Sequence, residues 1–244
     1  MKSIQLKDKS GLRSALLMTQ EPKIRPRQII DTINNLLDNG IKKISVLVRH
    51  SDRMFTEDAN LEPFMTLTDE GKKNAFEFGA DLRSAPLPRL YSSFLGRCIE
   101  TAYLIDKGFT KTHNQTLDHN CTNEMLTPFY VIDMDETVHR VKKQGNALFL
   151  RNWFDKLIDE RIMENPEKTA NRLSEFMIEQ IKKYDENRIA VCVSHDWNIY
   201  VLKEFKLGLK HETSGDVGFL DGVVFFEKEN QYYIINHQAG PVLL

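Results

Sequence analysis

The sequence predicts an α/β protein with a mostly parallel central sheet covered by helices on both faces. Two continuous apolar segments, ISVLV at residues 44–48 and IAVCV at 189–193, have the composition of strands buried on both faces. Segments with helical spacing of apolar residues alternate with strand-like segments along the chain. This alternation favours a layered α/β fold over an all-helical or all-β fold.

The elements follow from these patterns in chain order. Residues 1–26 are charged, contain two prolines and lack a sustained period, so they predict an N-terminal extension. Ile29, Ile33 and Leu37 share helical spacing, and the following Asn-Gly ends a helix that leads into a strand at 41–48. The later elements are predicted as helix 68–82, strand 89–92, helix 96–105, an irregular segment to about 165, a helix to 184, strand 188–193, helix 196–205 and strands 222–227 and 231–237.

The domain organisation predicted from this order is one main domain. Residues 1–40 form the extension with its amphipathic helix, and residues 41–244 form the domain, with an inserted cap-like or lid-like region at about 110–165. Within that region the spacing of Phe149, Trp153 and Phe154 predicts a helix packed in the core.

Composition limits the classes of partner. The formal net charge is -2, so no overall basic field favours nucleic acid or an anionic membrane. The three cysteines are widely spaced and predict neither a disulfide framework nor a zinc site, which is typical of a reducing compartment. With no long apolar segment in the sequence, we expect a cytoplasmic protein. Nothing in the sequence indicates an oligomeric state.

Both central strands end at a histidine. The first is followed by Arg49-His50-Ser51-Asp52-Arg53 and the second by Ser194-His195-Asp196. Ligands of open α/β sheets bind beyond the carboxyl ends of the strands, so neighbouring strands would bring His50 and His195 together. Arg97, which opens the helix after the strand ending at Ser92, reaches the same edge.

This residue set favours phosphate chemistry. Three guanidiniums match the oxygens of a phosphoryl group, and each charge-assisted hydrogen bond contributes about 1.5 to 3 kcal/mol, so no metal or other cofactor is required. Cationic neighbours also disfavour protonation of an imidazole. We therefore expect His50 to act as a nucleophile that forms a phosphohistidine.

The departing alkoxide needs a proton from a carboxylic acid on the opposite side of the phosphorus. Such help contributes on the order of 10² to 10⁴ in rate. Asp196, which follows His195 directly, is favoured, and Glu124 in TNEMLTPF is the other candidate.

These residues resemble the histidine phosphatase superfamily, which includes the cofactor-dependent phosphoglycerate mutases. The resemblance covers roughly residues 41–205 and rests on four motifs in order: Arg49-His50-Ser51-Asp52-Arg53, Leu67-Thr68-Asp69-Glu70-Gly71, SSFLGRCIETA at 92–102, and Ser194-His195-Asp196. It implies a three-layer α/β/α sandwich, like that of phosphoglycerate mutase, and a phosphohistidine mechanism. It also implies that His50 is the nucleophile and that Arg49, Arg53, Arg97 and His195 bind the phosphate.

The resemblance does not decide between Asp196 and Glu124 as the acid, because two branches of the superfamily use different acids. The phytase and acid phosphatase branch uses the aspartate of a His-Asp pair, as Asp196 would be, whereas the mutase-like branch uses a mid-chain glutamate, where Glu124 falls. The function expected first is a metal-independent phosphoric monoester hydrolase of the histidine acid phosphatase type. Its substrate would be a small-molecule phosphomonoester or a phosphopeptide. The alternatives are a phosphoglycerate mutase-like phosphotransferase and a non-catalytic domain that binds a phosphorylated ligand.

Overall fold

The structure is a computed structural model that describes residues 27–58, 61–118, 120–184 and 188–244. The predicted extension at 1–26 lies outside these residues. The strands are β1 Ile44–Arg49, β2 Leu87–Ser92, β3 Cys121–Thr122, β4 Arg188–Ser194, β5 Gly222–Lys228, β6 Gln231–Asn236 and β7 Ala239–Leu243. The helices are α1 Gln28–Asp38, α2 Asp69–Asp81, α3 Gly96–His113, α4 Met134–Gln144, α5 Asn146–Phe154, α6 Pro166–Lys182, α7 Asp196–Leu207 and α8 His211–Ser214, with short 3-10 helices at Glu62–Phe64 and Glu124–Leu126.

The sheet is parallel on one side and antiparallel on the other. Within the described residues, seven strands lie in the order β3-β2-β4-β1-β5-β6-β7. The β3-β2, β2-β4 and β4-β1 pairs are parallel, whereas β1-β5, β5-β6 and β6-β7 are antiparallel. The expectation of a mostly parallel sheet is therefore only partly correct. Glu229 and Asn230 both have positive φ and connect β5 to β6 in a tight turn, which only an antiparallel pair allows.

The three-layer arrangement is confirmed by the two hydrophobic clusters on opposite faces of the sheet. Along β1, Val46 and Val48 belong to the cluster that includes α1, α2 and α3, while Leu47 belongs to the cluster that includes α5, α6 and α7. Successive side chains of a strand point to opposite faces, so burial of both sets requires helices on both sides. No helix in the described part of the chain is long and apolar enough to cross a lipid bilayer.

The segment expected to be irregular contains two helices, α4 and α5. Phe149, Trp153 and Phe154 of α5 are buried in the core as predicted, because their apolar spacing is strong. By contrast, α4 buries only Thr137, so its sequence carries little apolar signal. Strand β7 was not predicted, since its sequence contains glycine and proline and none of its residues is buried.

The start of α2 fixes the loop that follows β1. Thr68 caps the helix by accepting a hydrogen bond from the Gly71 N–H, and its hydroxyl donates to the Asp52 carboxylate at 3.1 Å. The Thr68 N–H donates to the Asp52 carbonyl at 3.1 Å. Helix and loop approach so closely that a Cβ on Gly71 would lie 2.0 Å from the Asp52 carbonyl oxygen. The glycine of the LTDEG motif is therefore required by backbone contact.

Gly71→Ala is expected to destabilise the protein by about 1 to 3 kcal/mol, because either the helix or the 49–53 loop must shift to admit the methyl group. Urea denaturation measures the effect. Gly240→Ala is the matched control, since a Cβ there meets no atom within 4 Å. Equal stability of the two variants would contradict the close approach at Gly71.

Candidate active site

The structure brings the two strand-end histidines together at the edge where the parallel strands end. β1 and β4 are neighbours in register, with Arg49 opposite Ser194, so the next residue of each strand is His50 or His195. The His50 N–H donates to the Ser194 carbonyl at 2.9 Å. The two imidazole centroids are 5.6 Å apart, and both histidines are 3% exposed. Two buried imidazoles this close together can contact the same small ligand.

Arg97 lies between the two imidazoles. The end of β2 is tied to β4 by the Ser93 N–H, which donates to the Val193 carbonyl at 3.0 Å, and α3 then places Arg97 in its first turn. The Arg97 Nε donates to His50 Nε2 at 3.2 Å, and its Nη2 lies 3.4 Å from His195 Nδ1. Arg97 is 5% exposed, so its cationic group is desolvated among these partners.

The hydrogen bonds assign the proton on each imidazole. His50 Nδ1 lies 2.8 Å from the Ser51 carbonyl, which can only accept, so Nδ1 carries the proton and Nε2 has the free lone pair. His195 Nδ1 faces the Arg97 donor, so its Nε2 carries the proton and donates to the Ser93 hydroxyl at 2.9 Å. The unprotonated nitrogen of His50 therefore faces the guanidinium of Arg97.

Burial and positive charge keep both imidazoles neutral. Burial lowers the pKa of His50 to about 3, helped by the positive charges of Arg97, Arg49 and Arg53 and opposed by the hydrogen bond to Ser51. Burial also lowers the pKa of His195 well below its usual value, and Arg97 is the largest charge that adds to this effect. Near pH 7 the lone pair on His50 Nε2 is available without a separate base.

Arg49 joins this cluster and contacts Asp196. Its Nη2 lies 3.0 Å from the Asp196 carboxylate, its Nη1 donates to the Val217 carbonyl at 2.6 Å, and its guanidinium stacks 4.3 Å above the Phe219 ring. The third nitrogen of this guanidinium, Arg49 Nε, is buried and has no hydrogen-bond partner among the described residues. A buried unpaired donor is costly, which is consistent with a site that binds an anion.

Arg53 completes the set of arginines, and it pairs with a carboxylate that the sequence did not point to. Its Nη2 lies 2.9 Å from Glu62 Oε1, and the same oxygen lies 3.3 Å from Arg97 Nη2. Arg97 Nη1 also donates to the Glu62 carbonyl at 3.4 Å. Glu62 falls between motifs, in LEPFM, and no spacing or composition marks it.

Glu124 lies at the same edge of the sheet. Its 3-10 helix is held there by the Asn123 N–H, which donates to the Ser92 carbonyl at 2.9 Å, and by the Ser194 hydroxyl, which donates to the Leu126 carbonyl at 2.8 Å. The Glu124 side chain is exposed and makes no hydrogen bond or ion pair within the described part of the chain. Of the two predicted acids, only Asp196 contacts an arginine of the cluster.

Three other residues shape the cluster. Ser93 and Cys98 lie within the SSFLGRCIETA motif, where proximity to Arg97 is a usable signal, whereas Phe219 is distant in sequence and carries none. Cys98 Sγ lies 3.6 Å from His195 Nε2, but burial raises the pKa of this thiol to about 12. The thiol therefore stays protonated and is a poor nucleophile near pH 7.

The sequence match decides the family. Residues 46–219 match the histidine phosphatase superfamily (branch 1). The matched segment contains more than half of the chain and all the residues of the cluster described above. The chain belongs to the histidine phosphatase superfamily. Membership indicates phosphatase or mutase activity in general.

Solved structures of this superfamily share the fold at low sequence identity. A phosphoglycerate mutase from Bacillus anthracis str. Sterne is 18% identical, with a TM-score of 0.53 over 79% of this chain and 91% of that one. Bacillus stearothermophilus YhfR is 18% identical, with a TM-score of 0.52 over 80% and 98%. A mycobacterial glucosyl-3-phosphoglycerate phosphatase in complex with VO3 is 16% identical, with a TM-score of 0.51 over 81% and 100%. These similarities confirm the phosphoglycerate mutase-like fold. No curated protein matches the sequence.

The neutral imidazoles predict a specific pH dependence of stability. Below pH 6.5 the unfolded chain protonates His50 but the folded protein does not until pH approaches about 3, so the free energy of unfolding falls as pH falls through this window. His50 alone should contribute about 1.4 kcal/mol per pH unit.

Urea denaturation of the wild type and of His50→Gln between pH 7 and pH 5 measures this contribution. The variant should gain stability relative to the wild type as pH falls. His139→Gln removes an exposed imidazole of α4 and is the matched control. A stability difference between the wild type and His50→Gln that is constant with pH would show that His50 protonates in the folded protein.

Proposed function

We propose that this protein is a metal-independent phosphatase that hydrolyses a phosphomonoester through a phosphohistidine on His50. The observation that carries the proposal is the neutral His50 imidazole, whose unprotonated Nε2 accepts a hydrogen bond from the buried Arg97. Attack on a phosphoryl group requires this lone pair, which would be released when the Arg97 N–H donates to a phosphoryl oxygen instead. The superfamily match over residues 46–219 supports the same chemistry.

The phosphoryl group would be bound by Arg49, Arg53, Arg97 and His195, with His195 donating from Nδ1 in the tautomer that carries its proton there. Arg97 contacts His50 at its unprotonated nitrogen, and the positive charges of all three arginines act on the ionisation of His50. Arg49 Nε is a buried donor that a phosphate oxygen can satisfy. Charge in a buried site stabilises the transferring phosphoryl group more strongly than charge in water.

The reaction has two steps. In the first, the lone pair of His50 Nε2 forms a bond to phosphorus, the bond from phosphorus to the ester oxygen breaks, and the leaving oxygen takes a proton from a carboxylic acid. In the second, the same carboxylate accepts a proton from water, whose oxygen attacks phosphorus while the bond from nitrogen to phosphorus breaks. Inorganic phosphate and the free alcohol are the products, and His50 returns to its neutral form.

Asp196 is the favoured acid because it contacts the phosphate-binding cluster. Its carboxylate pairs with Arg49 at 3.0 Å, whereas Glu124 is exposed at the same edge. Glu124 remains the alternative, because its anchored 3-10 helix also faces the edge of the sheet.

His50→Ala should abolish hydrolysis of p-nitrophenyl phosphate, with a loss on the order of 10³-fold or more, because no other group supplies the nucleophile. A chelator should leave the activity of the wild type unchanged. His139→Ala is the matched control. Trapping with labelled substrate should give an acid-labile, alkali-stable phosphoenzyme only when His50 is present.

Other outcomes of that experiment identify the rival functions. Turnover retained by His50→Ala would refute the mechanism. A long-lived phosphoenzyme with weak hydrolysis and transfer to an added acceptor would identify a mutase-like phosphotransferase. Saturable binding of phosphate esters without turnover would identify a non-catalytic binding domain. A panel of phosphorylated metabolites and phosphopeptides, assayed without metal, then distinguishes small-molecule from peptide substrates.

Asp196→Asn should lower kcat/KM, which reports formation of the phosphohistidine, by about 10²- to 10⁴-fold for alkyl phosphates and much less for p-nitrophenyl phosphate, because a nitrophenolate leaves without a proton. Glu124→Gln is the paired variant and should show no such dependence on the leaving group. The reverse result, with the dependence in Glu124→Gln alone, would transfer the acid role to Glu124.

A further inference from the structure

We propose that Glu62 is an internal competitor for the phosphate pocket: its carboxylate occupies Arg53 and Arg97 in the free enzyme, and substrate or product phosphate must displace it. This inference rests on the proposed function, because it treats these arginines as phosphate ligands. It adds a residue that sets the affinity of the site for its substrate and product.

The contacts of Glu62 are those of a bound anion. Its Oε1 lies 2.9 Å from Arg53 Nη2 and 3.3 Å from Arg97 Nη2, so one oxygen bridges two guanidiniums. The same Arg97 guanidinium donates through Nε to His50 Nε2. The carboxylate of Glu62 therefore pairs with the same guanidinium, that of Arg97, that contacts His50 Nε2.

Burial indicates which partner can leave. The side chain of Arg97 is 6% exposed and that of Arg53 is 20% exposed, whereas that of Glu62 is 34% exposed. Glu62 can exchange its guanidinium contacts for water, but Arg97 cannot. An incoming anion would thus replace Glu62 while the arginines stay in place.

Backbone hydrogen bonds hold the loop that carries Glu62, both at the base of the loop and next to the glutamate. The Met54 N–H donates to the Thr66 carbonyl at 2.9 Å, which closes the base. The N–H groups of Leu61 and Glu62 donate to the Asp58 carbonyl at 3.0 and 3.2 Å, and the 3-10 helix follows. Glu62 is therefore held beside Arg53 and Arg97 by these hydrogen bonds and by the 3-10 helix that it begins.

Competition of this kind weakens the binding of every anion that needs both arginines. The apparent dissociation constant equals the intrinsic one divided by the fraction of enzyme in which Glu62 has left the pocket. A dianionic phosphate with several oxygens can replace the single bridging oxygen. The same competition weakens product binding, so a site with three arginines can release inorganic phosphate after each cycle.

Glu62→Gln tests the proposal by removing the charge with little change of shape. Isothermal titration with inorganic phosphate should show binding tighter than in the wild type by about threefold to tenfold, since a partly exposed ion pair is a modest competitor. Product inhibition should strengthen by the same factor, and KM should fall without an increase in kcat. Glu57→Gln makes the same charge change at an exposed position of the same loop and should leave phosphate affinity unchanged.

The outcomes separate this inference from the proposed function. Phosphate affinity that is unchanged or weaker in Glu62→Gln, with a wild-type melting temperature, would overturn the inference alone, provided that Arg97→Gln abolishes binding. If neither the wild type nor Glu62→Gln binds phosphate, the pocket itself and the proposed function fail together. Should Glu62→Gln melt early, Glu62→Ala repeats the titration. If Glu57→Gln tightened phosphate binding by the same factor, the effect would come from the net charge of the loop and not from the contacts of Glu62. That result would also overturn the inference.

Discussion

The site depends on one buried cation, the guanidinium of Arg97, which lies between two imidazoles. A desolvated guanidinium is costly, and burial lowers the pKa of Arg97, although Glu62 opposes that effect. The same charge disfavours protonation of His50 and His195. Burial is the largest cause of the low pKa of His50, and the positive charge of Arg97 adds to it. An anion bound beside Arg97 would satisfy its buried guanidinium.

The scaffold holds this cluster through backbone contacts rather than through charge. Ser51 donates its hydroxyl to the Gly71 carbonyl at 2.7 Å, and its N–H donates to the Thr101 hydroxyl at 3.1 Å, so α2 and α3 both hold the residue beside His50. Gly71 lets α2 approach the loop closely. These contacts involve no group that titrates near neutral pH, and they hold the backbone beside His50 against both helices.

Three carboxylates lie near the cationic cluster, and they differ in whether they contact an arginine. Asp196 pairs with Arg49 at the start of α7, Glu62 bridges Arg53 and Arg97, and Glu124 lies exposed at the same edge. Each of the first two contacts is one that a phosphate oxygen can replace. Under the proposed function, phosphate binding would change the surroundings of both carboxylates at once.

The sequence determined the layered α/β fold and most of the residues that meet at the strand ends, because strongly apolar strands and short motifs at their ends are local signals. It did not determine that β5 pairs antiparallel with β1, because that pairing joins segments distant in the chain. Nor did it reveal Glu62 or Phe219, whose roles arise only when distant segments meet. Residue identity sets which chemistry is available, whereas the packing of loops against strand ends decides which groups contact each other.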